Sequence, residues 1–484
     1  MKIKHKHFSH TKNFIPKMHK IKKIHFIGIG GISMGGIAKI LFYEGYKISG
    51  SDVITNKITK KLQKLGITIY KKHSKNNIKN PNIIVISNAI PKNNPEIVFA
   101  KTMKIPIIKR AEILSEIMRY RYGIAISGTH GKTTTTTMII NIYTKTGMDP
   151  TFINGGIHNN LNIHSKLGKS QYIIVEADES DASFLYLRPI ITVITNIEPE
   201  HMNTYCGKLQ KLQETFIKFL KNIPFYGKAI VCIDDPSIKK IINNINNCKI
   251  ITYGFNPKSD FYINQYKQNK NTSTFNIYRN KKKIHIKLNI PGYHNALNAT
   301  AAIAVALENN INKKKIVQSM LSFKNANRRF NNLGYYYLQK NNNKNIKIML
   351  IDDYGHHPTE INVNINTIRT GWVKKRLVMI FQPHRYTRTK DLYESFVNVL
   401  SKVDKLIILN IYSAGEKPIP GINTTALCKS IKKNKKIQPT FIKNINKIPI
   451  ILKSILKNND ILLLQGAGTI EKITKKLINK ILYK

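Results

Sequence analysis

Apolar and polar positions fall into short blocks along this chain. "KIHFIGIG", "YKIS", "ITIY" and "NIIVIS" are brief apolar runs, and "IAKILFYEG" and "KITKKLQKLG" carry apolar residues at helical spacing. That alternation predicts a parallel α/β sheet closing near "AEILSEIMRYRYG". A second unit opens with "IAIS", passes through a glycine loop into a helix, and continues with "YIIVEAD", "ITVITNI" and "AIVCIDD". It then alternates with period two in "DFYINQY", "STFNIYR" and "KIHIKLNI", an antiparallel patch, before the helix "NALNATAAIAVALE". After "NANRRF" come four further strands, "IKIMLID", "RLVMIFQ", "KLIILNI" and "DILLLQG". No internal repeat appears at a fixed period. The pattern predicts three α/β domains, at residues 1–120, 121–324 and 325–484.

Composition narrows the class. With 484 residues and 42% hydrophobic content, the chain can bury several cores. Its longest apolar stretches, such as "TAAIAVAL", fall far short of a membrane span. The N-terminus is basic without an apolar segment behind it, so it reads as a frayed tail and not as a secretory signal. Cys206, Cys232, Cys248 and Cys428 have no metal or redox spacing, and a reducing cytoplasm is expected. The formal net charge is +53, which admits a nucleic-acid-binding class. The lysines are spread evenly, lack interleaved aromatics, and accompany Asn and Ile in tracts such as "QKNNNKNIK". We read them as compositional drift, with non-specific attraction to polyanions as its consequence. Scarce acids make the remaining ones informative. Residues 176–200 hold six of them (Glu176, Asp178, Glu179, Asp181, Glu198 and Glu200), where the composition predicts roughly one.

Several motifs carry candidate chemistry. "GTHGKTT" sits between a predicted strand and helix, where exposed amides and the helix dipole favour anions. Lys132 is placed to neutralise phosphates and Thr133 to ligate Mg²⁺, although the loop is shorter than the usual phosphate-binding loop. The threonines after Thr134 read as helix positions only. Glu176, at the end of a neighbouring strand, is placed to bind a cation beside the phosphates, whereas His201 read alone is a structural histidine. "GIGGISMGG" follows a strand and opens a helix, so it holds a diphosphate or makes a tight structural turn. The dinucleotide pattern fails at Ser33, and Asp52 ends the next strand, where an acid often meets a ribose. Asn295 and Asn298 open a helix and suit either an adenine edge or a cap. Arg328, Arg329, Arg385 and Arg388 suit carboxylate or phosphate recognition.

Taken in order, "GIGGISMGGIA", "SGSD", "SNAI", "RAE", "GTHGKTT", "EADESDASFL", "TNIEPEHM", "PGYHNALNA", "RRF", "DDYGHHPTE", "FQPHRYTRT", "AGEKPIPG" and "LLLQGAG" resemble the Mur ligase family over nearly the whole chain. Within that family the likeness is to members that join L-alanine to UDP-N-acetylmuramate. The resemblance implies a Rossmann-like N-terminal domain for the UDP-sugar, a central ATPase domain of P-loop type with a contracted loop, and a mobile Rossmann-like C-terminal domain. It implies ATP and Mg²⁺ as cofactors. Gly128, Thr129, His130, Gly131, Lys132, Thr133 and Thr134 would form the ATP loop, with Asn295, Asn298, Arg329 and Asp353 also on ATP. Thr133, Glu176 and His201 would hold metal, His201 at a second position and as a candidate to take the alanine proton. Gly28, Gly30, Gly31, Ser33, Met34, Gly35, Asp52, Ser87, Arg110 and His130 would surround the UDP-sugar. His384, Arg385 and Arg388 would lie near the muramyl carboxylate and the amino acid.

The chain departs from the family pattern at Ser33, Pro199, Glu200, Asn203, Tyr293, Asn325 and Thr469, which bears on the UDP loop and the second metal position. The expected partners are the two small substrates, with no specific nucleic acid, no membrane insertion, and a monomeric or dimeric state. A murein tripeptide ligase of the same family is the nearest alternative. An NAD-dependent oxidoreductase, argued from the first glycine turn, leaves "GTHGKTT" without a role.

Overall fold

The computed structural model describes residues 18–158, 163–325, 328–339, 345–434 and 437–483. Most of the basic N-terminal tail, the centre of the "QKNNNKNIK" tract and part of "NANRRF" lie outside the described residues. The chain divides into two compact units. One runs to Asn264 and adds Asn276–Ile286 and Leu297–Phe323; the other comprises Gln265–Phe275, Lys287–Ala296 and everything from Lys324 onward.

The first unit begins with a parallel sheet of β1 (Lys23–Ile27), β2 (Lys47–Ser51), β3 (Thr68–Tyr70), β4 (Ile83–Ile86) and β5 (Ile107–Lys109), in the order β3-β2-β1-β4-β5. Phe26, Ile27, Ile84 and Val85 are wholly buried, as expected for central strands covered on both faces. Helices α1 (Ile32–Tyr43), α2 (Lys57–Lys64) and α3 (Pro95–Thr102) connect these strands, and α4 (Arg110–Met118) follows β5. Their starts are legible locally: an Asn56–Thr59 capping box opens α2, and Asn94 followed by Pro95 opens α3. The strand order reverses at β1, so a crevice opens beyond its C-terminal end, where the first glycine turn lies.

The second sheet contains β6 (Tyr122–Ser127), β7 (Thr151–His158), β8 (Ile163–Lys166), β9 (Tyr172–Glu176), β10 (Ile191–Ile194), β11 (Lys228–Cys232), β12 (Lys249–Gly254), β13 (Phe261–Asn269), β14 (Thr272–Arg279) and β15 (Lys282–Leu288). Its order is β15-β14-β13-β12-β11-β10-β6-β9-β7-β8. The pairs from β7 through β9, β6, β10 and β11 to β12 are parallel, and β8 returns antiparallel on β7. Here too the order reverses at the first strand, β6, which places the "GTHGKTT" loop at a switch point. The associated helices are α5 (Lys132–Lys145), α6 (Leu209–Lys221), α7 (Pro236–Ile241), α8 (Tyr293–Glu308) and α9 (Lys313–Leu321).

The third sheet belongs to the second unit. It comprises β16 (Asn331–Gln339), β17 (Asn345–Asp353), β18 (Leu377–Phe381), β19 (Lys405–Leu409), β20 (Thr440–Ile442), β21 (Ile461–Gln465) and β22 (Leu482–Tyr483), ordered β20-β19-β18-β21-β17-β16-β22. The middle strands are parallel, and β16 runs antiparallel to both of its neighbours, β17 and β22. Alternate residues feed two cores, Met349, Ile351 and Met379 on one face and Leu350, Val378 and Ile380 on the other. Helices α10 (Pro358–Gly371) and α11 (Tyr386–Asp391) follow β17 and β18. Because β17, β18 and β21 end on one edge, "DDYGHHPTE", "FQPHRYTRT" and "LLLQGAG" converge there.

Candidate active site

In the first unit the loop between β6 and α5 is shaped by two glycines at positive φ, Gly128 at 126° and Gly131 at 83°. Asn196 and Thr195, just after β10, fasten it: the Asn196 carboxamide accepts from the His130 amide at 2.8 Å, and Thr195 Oγ1 donates to the His130 carbonyl at 2.6 Å. Thr129 is bound to the main chain of Glu198, whose amide donates to its hydroxyl at 2.8 Å. The loop is therefore braced by the adjacent strand end, which suits a shortened phosphate cradle.

Lys132 opens α5 with its ammonium turned back over the loop. It donates to the Gly128 carbonyl at 2.6 Å and to both carboxylate oxygens of Glu179 at 2.9 Å. Burial works against its charge, but the carboxylates of Glu179, Asp178 and Glu176 outweigh it and raise the ammonium above the ordinary lysine value. Burial pushes Glu179 up to about 7 against the pull of Lys132, and the Asp178 charge adds to the rise. Thr133 Oγ1 donates to Glu176, 3.1 Å from either oxygen, and the Gly155 amide donates to the same carboxylate at 2.9 Å. A hydroxyl and a carboxylate in contact beside a cationic loop form a hard-oxygen donor pair suited to Mg²⁺. His201, at φ 55°, stands beside Glu200, 3.8 Å away. His130 faces Glu198 at 3.6 Å.

The expectation that threonines beyond Thr134 only fill the helix needs amendment. Thr135 Oγ1 donates to Asn298 Oδ1 at 3.2 Å, and a Cβ on Gly131 would stand 2.6 Å from that same oxygen. Asn298 is thus packed under the loop. Asn154 Nδ2 donates to Thr137 Oγ1 at 2.9 Å, tying β7 to α5. Glu179 lies in the acid-rich window, and that excess is its one signal in the sequence; Asn196 carries no such signal.

The other glycine turn is internally bonded. Gly28 and Ile29 donate their amides to the Ser51 carbonyl at 2.9 and 3.1 Å, and the Gly30 amide donates to Asp52 Oδ2 at 2.8 Å. Asp52 thereby anchors the turn as well as the strand end. Gly31, at the α1 N-cap, precedes Ser33, Met34 and Gly35 in the first turns of the helix, and Met34 is buried. Gly35 lets α2 approach, since a Cβ there would meet Ile58 at 2.4 Å. Ser87 lies beneath Gly28, and Arg110 begins α4.

In the second unit, Arg329 pairs with Glu360 at 3.1 Å. Asp353 is buried, and its oxygens accept the amides of Phe330 and Gly355 at 2.6 Å each. Burial raises its carboxyl against the opposing charge of Arg329. Asn295 donates to the Pro291 carbonyl at 2.6 Å, which closes the start of α8. Arg385, at φ 73°, pairs with Glu416 at 3.3 Å, and Arg388 reaches His384 Nδ1 at 3.3 Å. Burial, with His356, Arg388 and Arg385 nearby, pushes His384 down to about 4, so its imidazole is neutral in a cationic patch. Glu416, which no motif marks for this place, also accepts from Thr387 Oγ1 at 2.7 Å and so holds the start of α11.

Three family models match the chain consecutively: Mur ligase family, catalytic domain, over residues 23–122; Mur ligase middle domain over 126–306; and Mur ligase, glutamate ligase domain over 338–468. A UDP-N-acetylmuramate–L-alanine ligase of Baumannia cicadellinicola subsp. Homalodisca coagulata is 52% identical over 476 residues, covering 98% of this chain and 97% of that one. Among solved structures, the UDP-N-acetylmuramate–alanine ligase of Thermotoga maritima superposes with a TM-score of 0.76 at 26% identity, covering 95% of this chain and 98% of the other. A murein peptide ligase of Psychrobacter arcticus 273-4 shares the fold at 22% identity, with a TM-score of 0.67 and coverage of 95% and 98%. With its "GTHGKTT" loop braced at one sheet's switch point, its first glycine turn at another, and this similarity along its length, the chain belongs to the Mur ligase family.

Proposed function

We propose that this chain is an ATP-dependent ligase that joins L-alanine to the lactyl carboxylate of UDP-N-acetylmuramate, releasing ADP and phosphate, in the cytoplasm. The observation that carries the reading is the grouping of Lys132 and Thr133, at the start of α5, with Glu176 at the end of β9, in a chain half identical to a relative of that name. A carboxylate resists attack by an amine because oxide is a poor leaving group. Transfer of the γ-phosphoryl group to it gives an acyl phosphate whose leaving group is phosphate. Lys132 supplies a positive charge that Glu179 holds in place until phosphate competes for it. Thr133 and Glu176 would hold Mg²⁺, which when bound neutralises charge on the phosphates. We assign the glycine turn and Asp52 to the UDP-sugar, Asn295, Asn298, Arg329 and Asp353 to ATP, and His384, Arg385 and Arg388 to the carboxylate and amino acid. The residue ranges 1–120, 121–324 and 325–484 are the corresponding functional domains.

Heavy oxygen in the muramyl carboxylate tests the chemistry. One labelled atom per turnover is expected in the released inorganic phosphate. Unlabelled phosphate, or label in AMP with release of diphosphate, would reject the acyl-phosphate route. Comparing L-alanine with a tripeptide as acceptor separates this reading from a murein peptide ligase.

A further inference from the structure

Beneath the first glycine turn lies a buried acid without a part in the chemistry above. Glu96, in the first turn of α3, is wholly buried. Ser51 Oγ and Asn77 Nδ2 each donate to it at 2.6 Å, His73 Nδ1 lies at 3.0 Å, and His25 Nε2 is 3.8 Å away. These groups come from β1, β2, the segment after β3 and the short turn Lys75–Asn77, so one carboxylate gathers four parts of the domain. His25 is itself held by Ser49 Oγ at 2.9 Å. In a chain with 26 acids against 79 bases, an acid retained at the centre of a core is conspicuous.

Its geometry leads to the turn. The residue whose hydroxyl Glu96 captures, Ser51, is the one whose carbonyl receives the Gly28 and Ile29 amides, and the next residue, Asp52, receives Gly30. Ser51 is therefore clamped from below by its side chain while it fixes the turn above by its main chain. Removing an ionised acceptor from such a network leaves several buried donors without a partner. We propose that Glu96 is a positioning residue for the nucleotide-sugar site, which acts through Ser51 on the Gly28–Gly31 turn and orients His73 beside it.

This inference rests on the first glycine turn being the UDP-sugar site, and the test separates the two. Calorimetry with UDP as probe, and steady-state kinetics with the full set of substrates, are run on wild type, Glu96→Gln and Ser51→Ala. Glu96→Gln is expected to raise the UDP Kd and the KM for the UDP-sugar about tenfold, with kcat and the KM for ATP within about twofold. Ser51→Ala, which cuts the link and leaves the other donors on Glu96, should move the same two parameters in the same direction by a smaller factor. Thermal melting keeps the comparison to folded protein, and if Glu96→Gln does not fold, Ser51→Ala carries the test. Folded variants that bind UDP like wild type would overturn the proposal alone, as would a parallel fall in kcat and rise in both KM values. Wild type that binds no UDP would overturn the site reading and this proposal with it.

Discussion

Lys132 shows how much can rest on one side chain. Its ammonium is held by Glu179 and the loop carbonyl. Lys132→Ala is expected to lower ligation by about a thousandfold or more, because charge at the transferred phosphoryl group loses its fixed counter-charge. UDP binding should change by less than about twofold, since the Gly28–Gly31 turn proposed for UDP ends a different sheet. Calorimetry beside an activity assay reads both. His294 offers a second residue-scale test. Burial and the charge of Arg329 push its imidazole down to about 4, with Glu360 opposing. The folded protein thus holds it neutral, while the unfolded chain protonates it near its ordinary value of 6.5. Stability from this group is complete above that value and is lost as pH falls towards 4, by as much as about 3 kcal/mol. In urea titrations of the second unit's transition, His294→Gln should flatten the pH dependence between those limits; an unchanged slope would show that the ring titrates freely.

Elements matter through their junctions. The passage from β6 into α5 needs a left-handed residue at its last loop position, and Gly131 supplies it at φ 83°. Alanine there pays a backbone cost of about 1–2 kcal/mol and sets a Cβ 2.6 Å from Asn298 Oδ1. Gly131→Ala is therefore expected to displace Asn298 from Thr135 and raise the KM for ATP by about tenfold or more, with UDP affinity retained. Equal ATP affinity in the variant would show that the loop tolerates another path. At this scale much of the protein was legible. Strands β1, β6, β9, β10, β17, β18, β19 and β21 follow the apolar runs, and the three period-two segments became β13, β14 and β15. The pair β7–β8 was not read, because "TFINGGIH" is broken by glycines and acquires its strand character from β9 beside it. Strands β5, β20 and β22 are two or three residues long, too short to show any period.

Over the whole molecule the dominant quantity is charge. A net +53 on 484 residues attracts any polyanion, and among the described residues no helix is long and apolar enough to cross a membrane. Carboxylates are spent on specific tasks: Glu96 in a core, Glu179 on Lys132, Glu176 on Thr133, Glu308 on Lys228 and Arg279. The lysines far outnumber these carboxylates and are spread along the chain. DNA affinity is expected to fall by about a thousandfold between roughly 50 and 200 mM salt and to show no sequence preference. Tight, sequence-selective binding at the higher salt would contradict compositional drift as the origin of the charge.

The local order of residues determined the α/β class and the family, and it marked the "GTHGKTT" loop and the acid at the end of β9, because these depend on neighbours within a few positions and on motifs in sequence. Helix starts at Asn56 and Asn94 belong here too, since a cap acts over three residues. Tertiary structure alone decided which acid meets Lys132, that Asn298 underlies Gly131, that Glu416 secures Arg385, and that Glu96 joins Ser51 to His73. Each of those pairs is separated by tens to more than a hundred residues or crosses strands whose order the chain does not spell out. Electrostatics and close packing act through space, so the partner of a charged or small residue is set by sheet order and register and not by its place in the chain.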